Sequence, residues 1–404
     1  HRSIHRLDMP DRVYFRGLNS LRFFAAMFVL VDHLPMTQAS VGLPHWTWGA
    51  SFFRGEPAVC FFFTLSGFLI TYLLLEERRR TGTISVRRFY VRRILRIWPL
   101  YFLISAFGLA FYRLFLPAIG QPYKAEYPTG LAILLYLLFL PNLMNSMFTV
   151  GGILNPLWSI GIEEQFYLTW APLVRRAGAR LGRLATTVFL VSLAVFVLNH
   201  FKVFGAGRTL YFVGQLKFHF MAVGALAALA VFNRREAVIG RWPFASRVGQ
   251  LVMLALLLEY YLLGRIPWGW LGAEVVQVVL YVWLIVNTAA NPRSIVPVGE
   301  RWFDYPGVIS YGVYMYHMVA VYATTWIFLH TTWWKPHLVA YELVFYLAAA
   351  GLTLLLAHAS YQFFEKRFLT LKDRRFASLA APLPHEATPP RRSFSIAADW
   401  TSDR

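Results

Sequence analysis

Ten stretches of this 404-residue chain are apolar over the length needed to cross a bilayer, and nothing limits its possible folds more. They lie near 18–36, 57–75, 97–116, 157–173, 184–201, 210–232, 247–264, 270–289, 306–329 and 338–362. A hydrocarbon core ~30 Å thick takes about 20 apolar residues of helix to span. Inside it each backbone polar group must find its partner within the segment. The expected fold is therefore all-α, a polytopic integral membrane helical bundle of about ten transmembrane helices. An eleventh candidate, 131–141, offers only about ten apolar residues before Pro141, and segments that short are re-entrant or interfacial more often than spanning.

Charge gives the same count. The loops 76–96, 174–183, 233–247, 290–301 and 366–375 are basic. Basic loops stay in the cytoplasm, so an even number of crossings must separate each pair. Ten spans satisfy this with both termini cytoplasmic. An additional span at 131–141 would place Arg175, Arg176, Arg180 and Arg183 outside. The bilayer is thus the first expected partner, and a bacterial cytoplasmic (inner) membrane the expected location.

Composition agrees: 57% of residues are hydrophobic and 15% charged, against about 25% charged in a soluble domain. The formal charge of +19 is explained by topology, so no nucleic-acid partner is expected. Some arginines remain for anionic lipid or a phosphorylated ligand. Cys60 is the only cysteine, which excludes an internal disulfide and a thiolate metal cluster, and no metal is predicted. No cleavable signal is evident in the polar, basic start. The expected organisation is an N-terminal cytoplasmic tail over 1–15, a membrane domain over 16–367 and a disordered cytoplasmic tail over 368–404. No internal repeat suggests an inverted-repeat transporter, and oligomeric state is not set by the sequence.

Five stretches hold polar residues that this composition does not explain. The first helix carries Arg22 and His33 in an apolar run. Eleven residues are about three turns, so both point the same way with Ala26 and Val29 between them. Ionisable groups at membrane depth are costly and mark function by default. The second stretch runs from Phe61 to Ile70 and leads to the basic run Arg87–Pro99. The third, Leu157 to Tyr167, contains Glu163 and Glu164. The fourth, Lys217 to Ala225, contains His219. The fifth, Ser310 to His317, contains Tyr311, Tyr314 and Tyr316.

In this order and spacing the five resemble the acyltransferase 3 family, integral membrane O-acyltransferases that include O-antigen and exopolysaccharide acetylases. The Arg-X10-His signature appears as Arg22 and His33, FFxLSGFLI from Phe62 to Ile70, RRxxRIxP from Arg92 to Pro99, and WSLSVEEQFY from Trp158 to Tyr167. The resemblance spans roughly residues 15–367. Two departures stand out. Ala58, Val59 and Cys60 replace the family's Gly-Val-Asp run, and the hydrolase-like domain of some relatives is not in this sequence. Transfer is then expected to be completed within the membrane body or by a partner.

The resemblance implies acyl transfer from a coenzyme A thioester, acetyl-CoA as co-substrate, to a hydroxyl of a carbohydrate or glycolipid. A hydroxyl attacking a thioester needs a base, and histidine suits that task; His33 is that candidate. Asp32 adjoins it but points about 100° away, so Glu163 or Glu164 is the better candidate to support the ring. The two glutamates also suit a helix N-terminus capped by Ser159. Arg88, Arg92 and Arg96 recur at i, i+4, i+8, and guanidinium forks suit phosphates. Arg87 and Arg88 read as a juxtamembrane anchor, and Arg92, Arg93 and Arg96, with Arg22, as donor-binding residues. Tyr311, Tyr314, His317 and Trp158 are the expected acceptor-binding group, with structural hydrogen bonding an equal reading for His317. Ser66 and Gly67 read as a close helix contact, and Cys60 as a small hydrophobe.

A transporter or flippase of a lipid-linked sugar or acyl group would also place charge in the membrane. A pure transporter predicts neither thioester hydrolysis nor transfer. A structural subunit predicts that His33→Ala is silent.

Overall fold

The computed structural model describes residues 15–46, 55–121, 127–241, 243–262, 269–296, 301–332 and 337–377. Among them the structure is helical throughout, with no β-strand. The helices are α1 (Arg16–Ser40), α2 (Gly55–Thr81), α3 (Val86–Ala110), α4 (Thr129–Leu137), α5 (Pro141–Met147), α6 (Leu157–Ala177) and α7 (Leu181–His200). They continue as α8 (Arg208–Gln215), α9 (Phe218–Arg241), α10 (Arg247–Leu262), α11 (Gly269–Ala290), α12 (Asp304–Leu329), α13 (Leu338–Ser360) and α14 (Lys366–Ala377).

Among the described residues, seven segments are long and apolar enough to cross a membrane: Gly17–Ser40, Gly55–Thr81, Val86–Ala118, Leu157–His200, Arg208–Asn233, Gly269–Ala290 and Leu338–Leu371. These embed the chain in a lipid bilayer. The ten expected stretches do not map onto them one to one. Leu157–His200 takes in two, turning at Gly178, whose φ is +55°. The stretches 247–264 and 306–329 fall on α10, only 16 residues long, and on α12. The inward side of α12 carries Ser310, Tyr314 and His317, which lowers its hydropathy. The 131–141 stretch forms α4, nine residues long, about half of what a crossing requires.

α2 is the axis of the bundle: 78% of its apolar window is buried. It packs on α9 and α1, while α12 lies between α1 and α13. The α2–α9 contact is backbone against backbone. A Cβ on Gly67 would overlap the Met221 carbonyl oxygen, and one on Gly224 the Thr64 carbonyl oxygen. Small residues allow such approach where the lipid gives helices no hydrophobic drive to associate. Near Gly307 the first turn of α12 also lies close on the Asn19 backbone of α1, though less tightly.

Three cavity-forming helices contain an internal proline: Pro35 in α1, Pro99 in α3 and Pro172 in α6. Each removes one N–H from its helix. At Pro172 the carbonyl left over is that of Leu168, and the Tyr90 hydroxyl of α3 donates to it at 2.5 Å. At the basic end, Arg78 donates to the Val174 carbonyl at 2.6 Å, closing the end of α6.

Residues 368–377, expected to begin a disordered tail, are the body of α14. Residues 1–14 and 378–404 lie outside the described residues.

Candidate active site

Five helices contribute one face each to a cavity with about 670 Å³ of empty space, including its open side. α1 gives Arg22. α2 gives Val59, Phe62, Phe63 and Ser66, spaced i, i+3, i+4, i+7 along one helical face. α3 gives Arg93, Arg96 and Ile97. α6 gives Ser159, Ile160, Glu163 and Tyr167, and α12 gives Ser310, Tyr311 and Tyr314.

The cavity is strongly cationic. None of Arg22, Arg93 and Arg96 makes a salt bridge or a side-chain hydrogen bond to another described residue. Arg93 lies over the Phe89 and Tyr167 rings, 5.6 and 5.3 Å from their centroids. Glu163 is within electrostatic reach of Arg22 and Arg93, but its oxygens are committed elsewhere. Ser66 donates to Oε1 at 2.8 Å and Tyr167 to Oε2 at 3.0 Å. The lining itself carries three guanidiniums and one carboxylate, while Glu164 and Glu365 lie within electrostatic reach of Arg93 and Arg96 from outside it.

Tyr314 closes one end. Its hydroxyl is 2.6 Å from Ser159 Oγ and donates to the Pro156 carbonyl at 3.0 Å. Phe62 meets the Tyr314 ring edge-on at 5.8 Å. Behind it is His317, ring centroids 5.6 Å apart, and beyond that His33, 5.1 Å from His317. His317 Nδ1 bonds to the Tyr314 carbonyl at 2.5 Å and His33 Nδ1 to the Val29 carbonyl at 2.7 Å. A carbonyl only accepts, so each neutral ring carries its proton on Nδ1 and its lone pair on Nε2. The His317 Nε2 is buried with no partner, while His33 is half-buried.

The expected site residues thus divide. Arg22, Arg93, Arg96, Glu163, Tyr311 and Tyr314 converge on the cavity. His33 and His317 pair one layer past its Tyr314 end. The ring of His33 is held by its own helix rather than by Glu163 or Glu164. Glu164 instead accepts from Trp98 Nε1 at 3.0 Å. Arg92 turns away and pairs with Glu77 at 2.9 Å, so the cavity face of α3 is Arg93–Arg96–Ile97 rather than the Arg88–Arg92–Arg96 stripe. Trp158 packs edge-on against Phe63 at 6.1 Å and is not in the lining.

Sequence reasoning missed Tyr167 and Ser310 as lining residues, and gave Ser66 and Ser159 only structural parts. The signal was present for Tyr167: four residues from Glu163, it shares that residue's face. A second buried charge cluster lies off the cavity. Lys217 Nζ is 2.7 Å from Glu56 and 3.6 Å from Glu274, and His219 Nε2 is 2.9 Å from Glu274.

Among the described residues, no group of three or more His, Cys, Asp or Glu side chains could hold a metal ion.

Comparison with known proteins bears on this architecture. A family model described as "Acyltransferase domain" matches residues 15–366. The peptidoglycan O-acetyltransferase OatA of Listeria monocytogenes is 24% identical over 339 residues, covering 79% of this chain and 51% of that protein. The O-acetyltransferase OatA of Staphylococcus aureus is 24% identical over 379 residues, covering 91% and 59%. The chain therefore spans a little over half the length of these relatives. No solved structure matches it.

Proposed function

Because the chain belongs to this acyltransferase family, we propose that it is a membrane O-acyltransferase that moves an acetyl group from acetyl-CoA to a hydroxyl of a carbohydrate acceptor. The observation that carries this reading is the set of three guanidiniums, Arg22, Arg93 and Arg96, lining one cavity with no salt bridge to another described residue. Planar guanidinium forks suit phosphate and carbonyl oxygens, which is what a coenzyme A thioester brings.

In this reading His33 is the base. Its Nε2 lone pair takes the proton of the attacking hydroxyl while Val29 fixes the ring through Nδ1. The hydroxyl oxygen bonds to the thioester carbon, the C–S bond breaks and coenzyme A leaves as the thiolate. Glu163 stays with Ser66 and Tyr167 and shapes the cavity rather than the base. Tyr311 and Tyr314 contact the substrates. The carbohydrate acceptor is proposed from the names of the relatives, both O-acetyltransferases and one of peptidoglycan. Ten crossings, both termini inside and a bacterial cytoplasmic membrane complete the proposal.

The test is purified protein in nanodiscs with labelled acetyl-CoA and a panel of peptidoglycan fragments and other oligosaccharides. Label should appear as an ester on one of them. Wild-type protein that neither transfers the label nor hydrolyses the thioester overturns the reading.

A further inference from the structure

We propose that the Tyr314 hydroxyl is a catalytic hydrogen-bond donor to the thioester carbonyl oxygen, with Ser159 as its positioning residue. The inference rests on the acyl-transfer reading of the cavity and assigns the group that meets the charge developed during transfer.

Tyr314 and Ser159 present two hydroxyls 2.6 Å apart, and both reach the single carbonyl of Pro156, at 3.0 and 3.2 Å. One O–H proton satisfies that carbonyl and the other lies between the two hydroxyl oxygens. If Ser159 donates to Pro156, the Tyr314 proton becomes available to a ligand and no backbone acceptor is left unpaired. A phenol is a stronger acid than an aliphatic alcohol, so Tyr314 is the better donor of the two.

Placement makes the same assignment. Tyr314 is buried on the cavity wall, so its O–H acts in a space where a hydrogen bond to developing charge is strongest. Phe62 holds the ring from the side. Of the lining residues, Tyr314 is the one in ring contact with His317 and so borders the histidine pair. Arg22, Arg93 and Arg96 occupy other walls. A thioester with its anionic part among the guanidiniums and its acyl end toward His33 would bring its carbonyl to Tyr314.

In the step itself, the acceptor oxygen forms a bond to the carbonyl carbon and the C=O π pair moves onto oxygen, where the Tyr314 O–H donates. When the C=O re-forms, the C–S bond breaks and its electron pair leaves with sulfur. The proton of the hydroxyl stays on His33 Nε2. Tyr314 keeps its own proton throughout and serves as a dipole aimed at the oxyanion.

The test uses the full chain in nanodiscs, acetyl-CoA as donor, and coenzyme A release read with a thiol reagent, with water and with an oligosaccharide as acceptor. Tyr314→Phe should lower kcat about 10²–10³-fold, the usual effect of losing one oxyanion donor. KM for acetyl-CoA should stay within about twofold, because the bond is made only in the transition state. Ser159→Ala should lower kcat less, again at constant KM. A Tyr314→Phe protein with wild-type kcat, or one altered only in KM, overturns the assignment. If Tyr314→Phe does not fold, Ser159→Ala with unchanged kcat overturns it. Wild-type protein with no turnover overturns the acyl-transfer reading and this one together, whereas an active wild type with an unimpaired Tyr314→Phe overturns this one alone.

Discussion

His33 and His317 stand edge to face across the α1–α12 contact, ring centroids 5.1 Å apart, each with its Nδ1–H given to a carbonyl of its own helix. The two rings differ in exposure: His317 is fully buried and His33 is not. In the proposed reading the more exposed ring, His33, is the base. His33→Gln should lower transfer by about 10²–10⁴-fold, the range for loss of a general base, with acetyl-CoA still bound. A larger loss in His317→Gln than in His33→Gln, measured side by side, would reverse the assignment.

Donor affinity should follow the cavity arginines. Arg22→Gln and Arg96→Gln each remove a charged donor, and such hydrogen bonds contribute about 1.5–3 kcal/mol. Calorimetric titration with a non-hydrolysable thioether analogue of acetyl-CoA should therefore weaken roughly 10- to 100-fold. Arg92→Gln, whose guanidinium is engaged by Glu77, should bind the analogue as wild type does. Equal weakening in all three variants would mean that net charge, rather than the cavity, sets affinity.

Two glycines, one in the central helix α2 and one in α13, should behave in opposite ways. Gly67→Ala puts a methyl group into the Met221 carbonyl, a backbone atom that cannot turn aside. Overpacking typically costs about 1–3 kcal/mol, and here α2 and α9 must separate. Melting of the detergent-solubilised protein should fall. At Gly351 of α13 an added Cβ meets open space, so Gly351→Ala should hold the melting point or raise it, helix propensity contributing up to about 1 kcal/mol of stability.

The charge cluster away from the cavity should govern stability alone. Glu274 is buried between Lys217 and His219. Removing one partner of a buried pair costs about 3–5 kcal/mol, so Glu274→Gln should melt far earlier. Glu56 is 65% exposed at its side chain, and Glu56→Gln should have a much smaller effect. In both, the protein that remains folded should turn over at the wild-type rate. A specific loss of kcat in Glu274→Gln would draw this cluster into the chemistry.

How far the site could be read from sequence depended on which axis a feature lay along. Arg22, Glu163 and Tyr314 were legible because each is a polar group in an apolar helix, and bilayer energetics alone marks it out. The choice of Arg93 over Arg92 was not legible. Both belong to one basic run, and only the turn from α2 into α3 puts Glu77 beside Arg92. Arg22 and His33 share α1, but only Arg22 lines the cavity, and a linear stripe does not reveal that Tyr314 and His317 come between that lining and His33. Lengthwise spacing is written in one helix, whereas lateral order is a property of several. The same limit applies to Ser66, whose small size signalled close packing while its hydroxyl serves Glu163.

The bond from Tyr90 to the Leu168 carbonyl also bears on how the protein is built. With Pro172 present, α6 is one rung short, and a helix carbonyl left without a donor costs free energy. Only a neighbour can supply that rung, and α3 is made first. The carbonyl that Pro172 frees is thus met by a hydroxyl already present in the chain.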